Sequence, residues 1–303
     1  MVYHCFEVCN GLNFETCGRS KILEIVPLSL KQAQGFVAQH HNDLGLPFKR
    51  YHIGTVWRGE NTQRGRYREF VQCDFDTIGS TSVAVDVETG LVIHELLRAI
   101  GFERFEIRIN DRRMLNGVLE RVGLADRAVP VLRALDKLDK IGPQKEEEEM
   151  AATAGATAAQ AQDILSLADA RGSNRDILER MQPLVAGTAR GEAGLTSLMQ
   201  ILSAMQAAGV PESRLRLDLS IARGLDYYTG TIYETVLGDL PGIGSVCSGG
   251  RYDDLASLYT KDKLPGIGAS LGLDRLLAAM EELKLIDGRR VSAPLFLAYF
   301  DEA

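Results

Sequence analysis

From Lys31 to Leu44, Ala33, Phe36 and Val37 recur at helical spacing, which predicts a helix. Tyr51 to Arg58 then alternates and is rich in β-branched and aromatic residues, and Phe70 to Asp76 alternates again after the polar stretch 59–66. Two such runs joined by a polar loop predict an antiparallel hairpin with a long tip. Val92 to Ile100 predicts a short amphipathic helix and Phe105 to Ile109 a strand, with Asn110 and Asp111 suited to cap a helix carrying Met114, Leu115 and Val118. Between Ala125 and Pro211 the character changes. The acidic run Glu146 to Glu149 and the Ala-rich 151–156 precede helical periods through Ile164, Leu165, Leu178, Met181, Leu184 and Leu198. This stretch reads as a helical insertion with a solvated charged face. Strands return at Leu215 to Leu219, Thr231 to Val236 and Ile267 to Leu271; a helix follows from Gly272 to Leu283, and a last strand begins near Pro294. Residues 1–24 carry little periodicity and predict no element. Mostly antiparallel strands flanked by helices make an α+β fold, not a doubly wound parallel sheet.

Composition narrows the class without naming it. A chain of 303 residues, 45% hydrophobic and 25% charged, is long enough for one large or two smaller domains. A net charge of -7 and a pI near 5.4 argue against a sequence-independent grip on nucleic acid, while leaving room for a local basic groove. The cysteines are odd in number and lack CxxC pairs, which fits a reducing compartment. Cys5, Cys9 and Cys17 lie near His4, at a spacing that matches no common zinc pattern. No apolar run is long enough to span a membrane, and Met1 to Cys5 does not open a signal peptide; the expectation is a cytoplasmic protein.

Three segments carry residue types that a core does not need. Arg58, Arg64, Arg66 and Arg68 crowd the predicted hairpin tip, with Tyr67 and Phe70 beside them. Arginine presents a planar fork of donors suited to phosphate oxygens, and an aromatic ring suits a base. Arg223-Gly224-Leu225-Asp226-Tyr227-Tyr228-Thr229-Gly230 and Ser248-Gly249-Gly250-Arg251-Tyr252-Asp253-Asp254 combine glycine, tyrosine and charge. Glycine lets backbone approach a ligand, although both segments also suit turns joining strands. Gly266 to Leu276 is a small-residue strand running into a helix that carries Arg275. His94 on an apolar helix reads as structural, and His40 and His41 lie at a helix's end.

Taken together and in this order, these segments resemble the motifs of histidyl-tRNA synthetases, which are class II aminoacyl-tRNA synthetases. The hairpin is similar to motif 2, Gly266 to Leu276 to motif 3, and the two glycine–tyrosine segments to the signatures that form the histidine pocket. The resemblance implies a class II antiparallel sheet flanked by helices, with ATP as substrate, Mg²⁺ arriving with it, and histidine and tRNA(His) as partners of a homodimer. It implies that Arg58 holds the α-phosphate and the amino-acid carboxylate, that Glu60 meets the adenine edge, and that Phe70 stacks on the adenine. Arg66 and Arg275 would take the terminal phosphates, and Arg223 would lie near the α-phosphate. Gln72 would contact the amino acid, Asp76 and Tyr228 the imidazole, with Tyr227 and Tyr252 lining the same pocket. The catalytic cations would be Arg58, Arg223 and Arg275, acting by position and charge without a covalent intermediate.

The resemblance spans roughly residues 36 to 293. It implies a catalytic core of residues 1–124 and 212–293, a helical insertion at 125–211, and at 294–303 the start of an anticodon-binding domain. The long helix and strand of motif 1 are not recognisable in residues 1–24. Where the family has Arg-Pro-acid-x-Thr, this chain reads Val26-Pro27-Leu28-Ser29-Leu30, so Leu28 and Leu30 stand at positions that would bind the substrate's amino group. A paralogue that senses histidine or regulates a partner, such as a regulatory subunit of ATP phosphoribosyltransferase, or a nucleotide-binding scaffold, would share the fold.

Overall fold

Alternation at Tyr51 and Phe70 becomes two paired strands toward one edge of a large sheet in the computed structural model, which describes residues 22–24, 30–59, 61–135, 143–168, 172–221 and 227–286. The chain runs β1 (Ile22–Glu24), α1 (Leu30–Leu44), β2 (Phe48–Trp57), β3 (Glu69–Ile78), α2 (Val83–Ile100), β4 (Phe105–Asp111) and α3 (Arg112–Arg121). Helices α4 (Ala128–Leu135), α5 (Pro143–Ala154), α6 (Ala158–Ala168), α7 (Asn174–Val185) and α8 (Ala189–Ala207) follow. The end of the chain supplies β5 (Leu215–Leu217), β6 (Thr231–Leu237), β7 (Ser245–Arg251), β8 (Gly266–Gly272) and α9 (Leu273–Glu282). The described strands form one eight-stranded sheet, ordered β1-β2-β3-β8-β7-β6-β4-β5. Only its outer pairs, β1 with β2 and β4 with β5, are parallel. The α+β reading therefore holds.

Three local readings change. Helix α2 begins at Val83, not near Val92, because Ser82 caps it and its hydroxyl accepts from the Ala84 amide at 3.2 Å. The β-branched Val83, Val85 and Val87 hide those first turns from a helical pattern. Asn110 lies within strand β4 and donates to the Leu219 and Ile221 carbonyls; Asp111, the last residue of the strand, alone caps α3, accepting from the Arg113 amide at 2.8 Å. Ser248 to Arg251 belongs to a central strand and not to a turn, because Gly249 sits where a Cβ would strike the backbone of Gly268 and Ala269 on β8. The strand expected near Pro294 lies outside the described residues.

Helices cover one face of the sheet. Ile107, Ile109, Tyr233, Ile267 and Leu271 pack there against Ile93, Leu96 and Leu97 of α2 and Leu198, Ile201 and Met205 of α8. Buried Arg251 pins β7 to this layer, reaching Asp86 in the first turn of α2 through Nε at 3.1 Å and through Nη2. Stretch 125–211 is helical through most of its described part, and its residues divide between two cores. Ile177, Met181 and Leu195 join the main one, whereas Val131, Leu132, Met150, Ala161 and Ile164 form a second with Leu115 and Leu119 of α3.

Candidate active site

The opposite sheet face holds the candidate site. In an antiparallel sheet, residues directly opposite one another point to the same side. The register aligns Arg50, Asp76, Gly268 and Gly250 in one row, His52, Asp74, Ser270 and Ser248 in the next, and Gly54, Gln72 and Gly272 in a third. Small residues on β7 and β8 leave room above the charged rows of β2 and β3. A Cβ at Gly268 would collide with Asp76, and one at Gly250 would come within 3.2 Å of the Tyr228 ring.

Two adjoining hollows open on this face. The larger, of 470 Å³, is lined by Arg58, Arg66, Phe70, Glu234, Asp274 and Arg275 among others. The smaller, of 290 Å³, is lined by Arg50, Trp57, Asp74, Asp76, Tyr252 and Gly268. Arg58, Gln72, Tyr227, Tyr228, Ser248 and Ser270 border both. A ligand with a large and a small part could therefore occupy one continuous site.

Charge is concentrated in the smaller chamber. The buried Arg50 guanidinium forms an ion pair with Asp76, Nη2 to Oδ2 2.7 Å, and the other Asp76 oxygen accepts from the Tyr252 hydroxyl. Burial alone would lower the Arg50 pKa, but the charges of Asp76, Tyr252 and Asp74 outweigh it and leave it raised. Breaking such a buried pair from one side typically costs about 3–5 kcal/mol, since the remaining charge stays uncompensated. Burial pushes the Asp74 carboxyl up to about 6, against a Ser270 hydrogen bond that favours its ionised form. Burial, then Arg50, holds His52 below the usual imidazole range. The phenols of Tyr227 and Tyr228 meet edge to face at 5.0 Å, and burial pushes Tyr227 up to about 12.

The larger hollow is framed by the β2–β3 tip and the start of α9. Arg58 donates to Gln72 at 3.3 Å, and its guanidinium lies 5.2 Å from the centre of the Phe70 ring. Asp274, in the first turn of α9, accepts from the Val71 amide at 2.7 Å. Arg64 pairs with Glu282 at 2.6 Å, and Gly65, at φ 65°, packs so closely that a Cβ would sit 3.1 Å from the Arg275 Cα. These contacts dock the arginine-rich tip on α9. Arg275 donates to the Ser245 carbonyl.

Arg58, Arg66, Phe70, Gln72, Tyr227, Tyr228 and Arg275 thus line the larger hollow, and Asp76 and Tyr252 the smaller. Glu60, Arg223, Leu28 and residues 294–303 lie outside the described residues. Sequence reasoning missed Arg50 and Asp74, and took Ser270 only as one of the small residues beside a ligand. The signal for the first two was available in the alternation of β2 and β3, which puts Arg50 and His52 on the side of Asp74 and Asp76; only the strand pairing shows that this side is the open one. Residues flagged as structural behave so: His94 is buried, and its Nδ1 lies 3.0 Å from Glu95.

An antiparallel sheet with an arginine hairpin on one side, a small-residue strand leading into an arginine-bearing helix on the other, and a ligand cleft between them defines the catalytic core of a class II aminoacyl-tRNA synthetase. The family model described as histidyl-tRNA synthetase matches residues 32–276. The chain belongs to the histidyl-tRNA synthetase family. It is 58% identical over 267 residues to the histidine–tRNA ligase of Rhodopirellula baltica, an alignment covering 88% of this chain and 60% of that protein. It is 46% identical over 273 residues to the ligase of Wolinella succinogenes, covering 88% of this chain and 61% of the relative. The chain therefore spans about three fifths of the length of these curated relatives. The crystal structure of histidyl-tRNA synthetase from Nostoc sp. PCC 7120 superposes with a TM-score of 0.81 at 28% identity, covering 94% of this chain and 72% of that one. A Bacillus halodurans structure described as an ATP phosphoribosyltransferase regulatory subunit/histidyl-tRNA synthetase aligns at TM-score 0.73 and 20% identity over 92% of this chain and 79% of that one, a likeness of fold alone. Among the described residues no helix is long and apolar enough to cross a membrane.

Proposed function

We propose that this chain carries the catalytic part of a histidine–tRNA ligase, which joins histidine to ATP as histidyl-adenylate and passes the histidyl group to tRNA(His). The observation that supports this most directly is the pair of adjoining hollows, one bordered by arginines and Phe70, the other by Asp76 and tyrosines, with Arg58 and Gln72 at the boundary. ATP would take the larger hollow and histidine the smaller, bringing the carboxylate to the α-phosphorus beside Arg58. Attack displaces pyrophosphate. Arg58 and Arg223 would hold the charge that develops at the α-phosphate, and Arg66 and Arg275 would receive the departing pyrophosphate. Phe70 would stack on the adenine and Glu60 meet its edge. Gln72 would orient the amino acid, with Asp76, Tyr227, Tyr228 and Tyr252 around the imidazole.

Glu234 and Asp274 line the ATP side, and Asp274 already accepts from the Val71 amide. That sparse donor set fits a Mg²⁺ carried on phosphate oxygens and keeping most of its water, which would offset phosphate charge. We further propose a cytoplasmic homodimer, with residues 1–124 and 212–293 as catalytic core, 125–211 as insertion and 294–303 as the start of an anticodon-binding domain. A purely regulatory role is not favoured, given the high identity to relatives named as ligases.

The test is histidine-dependent exchange of pyrophosphate with ATP. Exchange is expected from the 303-residue chain and should fall by about 10²–10³-fold in Arg58→Ala, the cost of removing a fixed group that stabilises developing charge. Histidine binding with no exchange in the unmodified chain would instead point to a sensor.

A further inference from the structure

The row of the sheet that starts at Arg50 and Asp76 continues through Gly268, Gly250 and Ile232 to Asn110 on β4. Opposed residues of an antiparallel sheet point to one side, so Asn110 lies on the face that carries both hollows. Past β5 the chain leaves the ladder. The Asp218 amide makes a last bond to the Ile109 carbonyl at 3.0 Å, and the chain then passes over Asn110 to Ile221. Ile221 and Ile232 line the larger hollow, apolar positions among arginines, tyrosines and carboxylates.

Asn110 is fully buried, and each of its polar groups has a partner. Its Oδ1 accepts from the Asp111 amide at 2.8 Å, which leaves both amide hydrogens for the other side. They go to the Leu219 and Ile221 carbonyls, each at 3.3 Å. One side chain of β4 therefore grips two peptide groups of a stretch that has no strand pairing of its own. Arg108, two residues earlier on the same face, braces the start of that stretch: its Nη1 lies 3.3 Å from Asp218 Oδ2. The other Asp218 oxygen accepts from the Ser220 amide at 3.0 Å and the Ser220 hydroxyl at 2.6 Å.

Tyr228, which borders both hollows, is secured by different atoms. Next to it, the Thr229 amide donates to the Arg251 carbonyl at 2.8 Å, and Thr229 Oγ1 accepts from the Asp253 amide at 3.0 Å. The Gly230 carbonyl accepts from the Arg112 amide at 2.9 Å. The wall at Ile221 and the tyrosine wall thus have separate anchors, one on the Asn110 side chain and one on β7 and the start of α3.

We propose that Asn110 is a positioning residue for the nucleotide: by holding the Leu219 and Ile221 carbonyls it sets Ile221 as a fixed apolar wall against bound ATP. This deepens the histidine–tRNA ligase reading and rests on it. Asn110 touches neither substrate and acts through Ile221. Its loss therefore weakens ATP and spares histidine, whose chamber is lined by β2, β3 and the separately anchored tyrosines.

The experiment is pyrophosphate–ATP exchange on the full chain, with ATP and histidine varied in turn, at a temperature where circular dichroism shows each variant folded. In Asn110→Ala the KM for ATP should rise about 10-fold, the scale of one to two net hydrogen bonds. The KM for histidine should stay within about threefold of wild type, and kcat should change less than the KM for ATP, as for lost ground-state binding. Asp218→Asn keeps Asn110 and removes only the charge facing Arg108. It should raise the KM for ATP about two- to threefold, and it reads the same wall if Asn110→Ala does not fold. A KM for ATP within about 1.5-fold of wild type in every variant that folds, with only the melting temperature lowered, overturns the assignment and leaves the ligase reading standing. Equal rises in both KM values also overturn it, since the whole site has then loosened. An unmodified chain with no histidine-dependent exchange overturns the ligase reading and this assignment together.

Discussion

Asp74 stands in an environment that opposes its charge. Its folded carboxyl sits near 6, above the ordinary 3.8, because burial penalises the anion. The folded protein therefore holds this proton more tightly than the unfolded chain does. Stability from the group is complete below about pH 4 and is lost as the pH rises through 6. Asp74→Asn, uncharged throughout, should gain about 2–4 °C in melting temperature relative to wild type on going from pH 4.5 to pH 7.5. Calorimetry at the two pH values checks this; an unchanged difference would mean that water reaches the carboxyl freely. Nearby His52, in the same row, is held below the usual imidazole range by burial and then by Arg50. Arg50 supplies the opposing charge.

At the level of elements, the site depends on close approaches that glycine permits. Helices α3 and α8 touch through Gly117, Gly191 and Gly194: a Cβ on Gly117 would collide with the Gly191 backbone, and one on Gly194 would lie 2.5 Å from the Met114 amide. This contact holds α8 down on α2 and β4, the layer that supports the sheet from behind. Gly117→Ala should cost about 1–3 kcal/mol, the usual effect of forcing an extra methyl group into a packed contact. Urea unfolding followed by circular dichroism measures it; a loss under 0.5 kcal/mol on that scale would show that the two helices separate easily. The β2–β3 tip is held in the same way, by Gly65 against α9 and by the Arg64–Glu282 pair. Both arginine-bearing elements of the larger hollow thus come from one docked unit.

Of the three cores among the described residues, two meet at α3. Met114 and Val118 face the core beneath the sheet, while Leu115 and Leu119 face the one formed by α4, α5 and α6. The second core borders neither hollow. Met150→Ala, at a fully buried position there, should destabilise by about 2–5 kcal/mol. Loss of amide protection, read by hydrogen exchange, should be confined to 128–168, with histidine affinity unchanged. Loss of protection spreading into β3 and β8 would make the two cores one cooperative unit.

The sequence by itself determined the type and order of most elements, because alternation and helical spacing are local and survive in one dimension. It also marked Arg58, Arg66, Phe70, Arg275, Tyr228 and Tyr252, since arginine, glycine and tyrosine crowded together serve no core. Its failures were local rules overridden by packing. Val83 to Val87 folds as helix because Ser82 caps it and its valines pack into the main core, and Gly249 lies in mid-sheet because β8 passes too close for a side chain. What only the tertiary structure decided was pairing across distance. Asp74 and Ser270 lie far apart in the chain, on β3 and β8, whose pairing no local pattern specifies, and within the predicted hairpin only the register sets Arg50 opposite Asp76. Register brings them to one face, opposite the helical layer, where the two hollows lie.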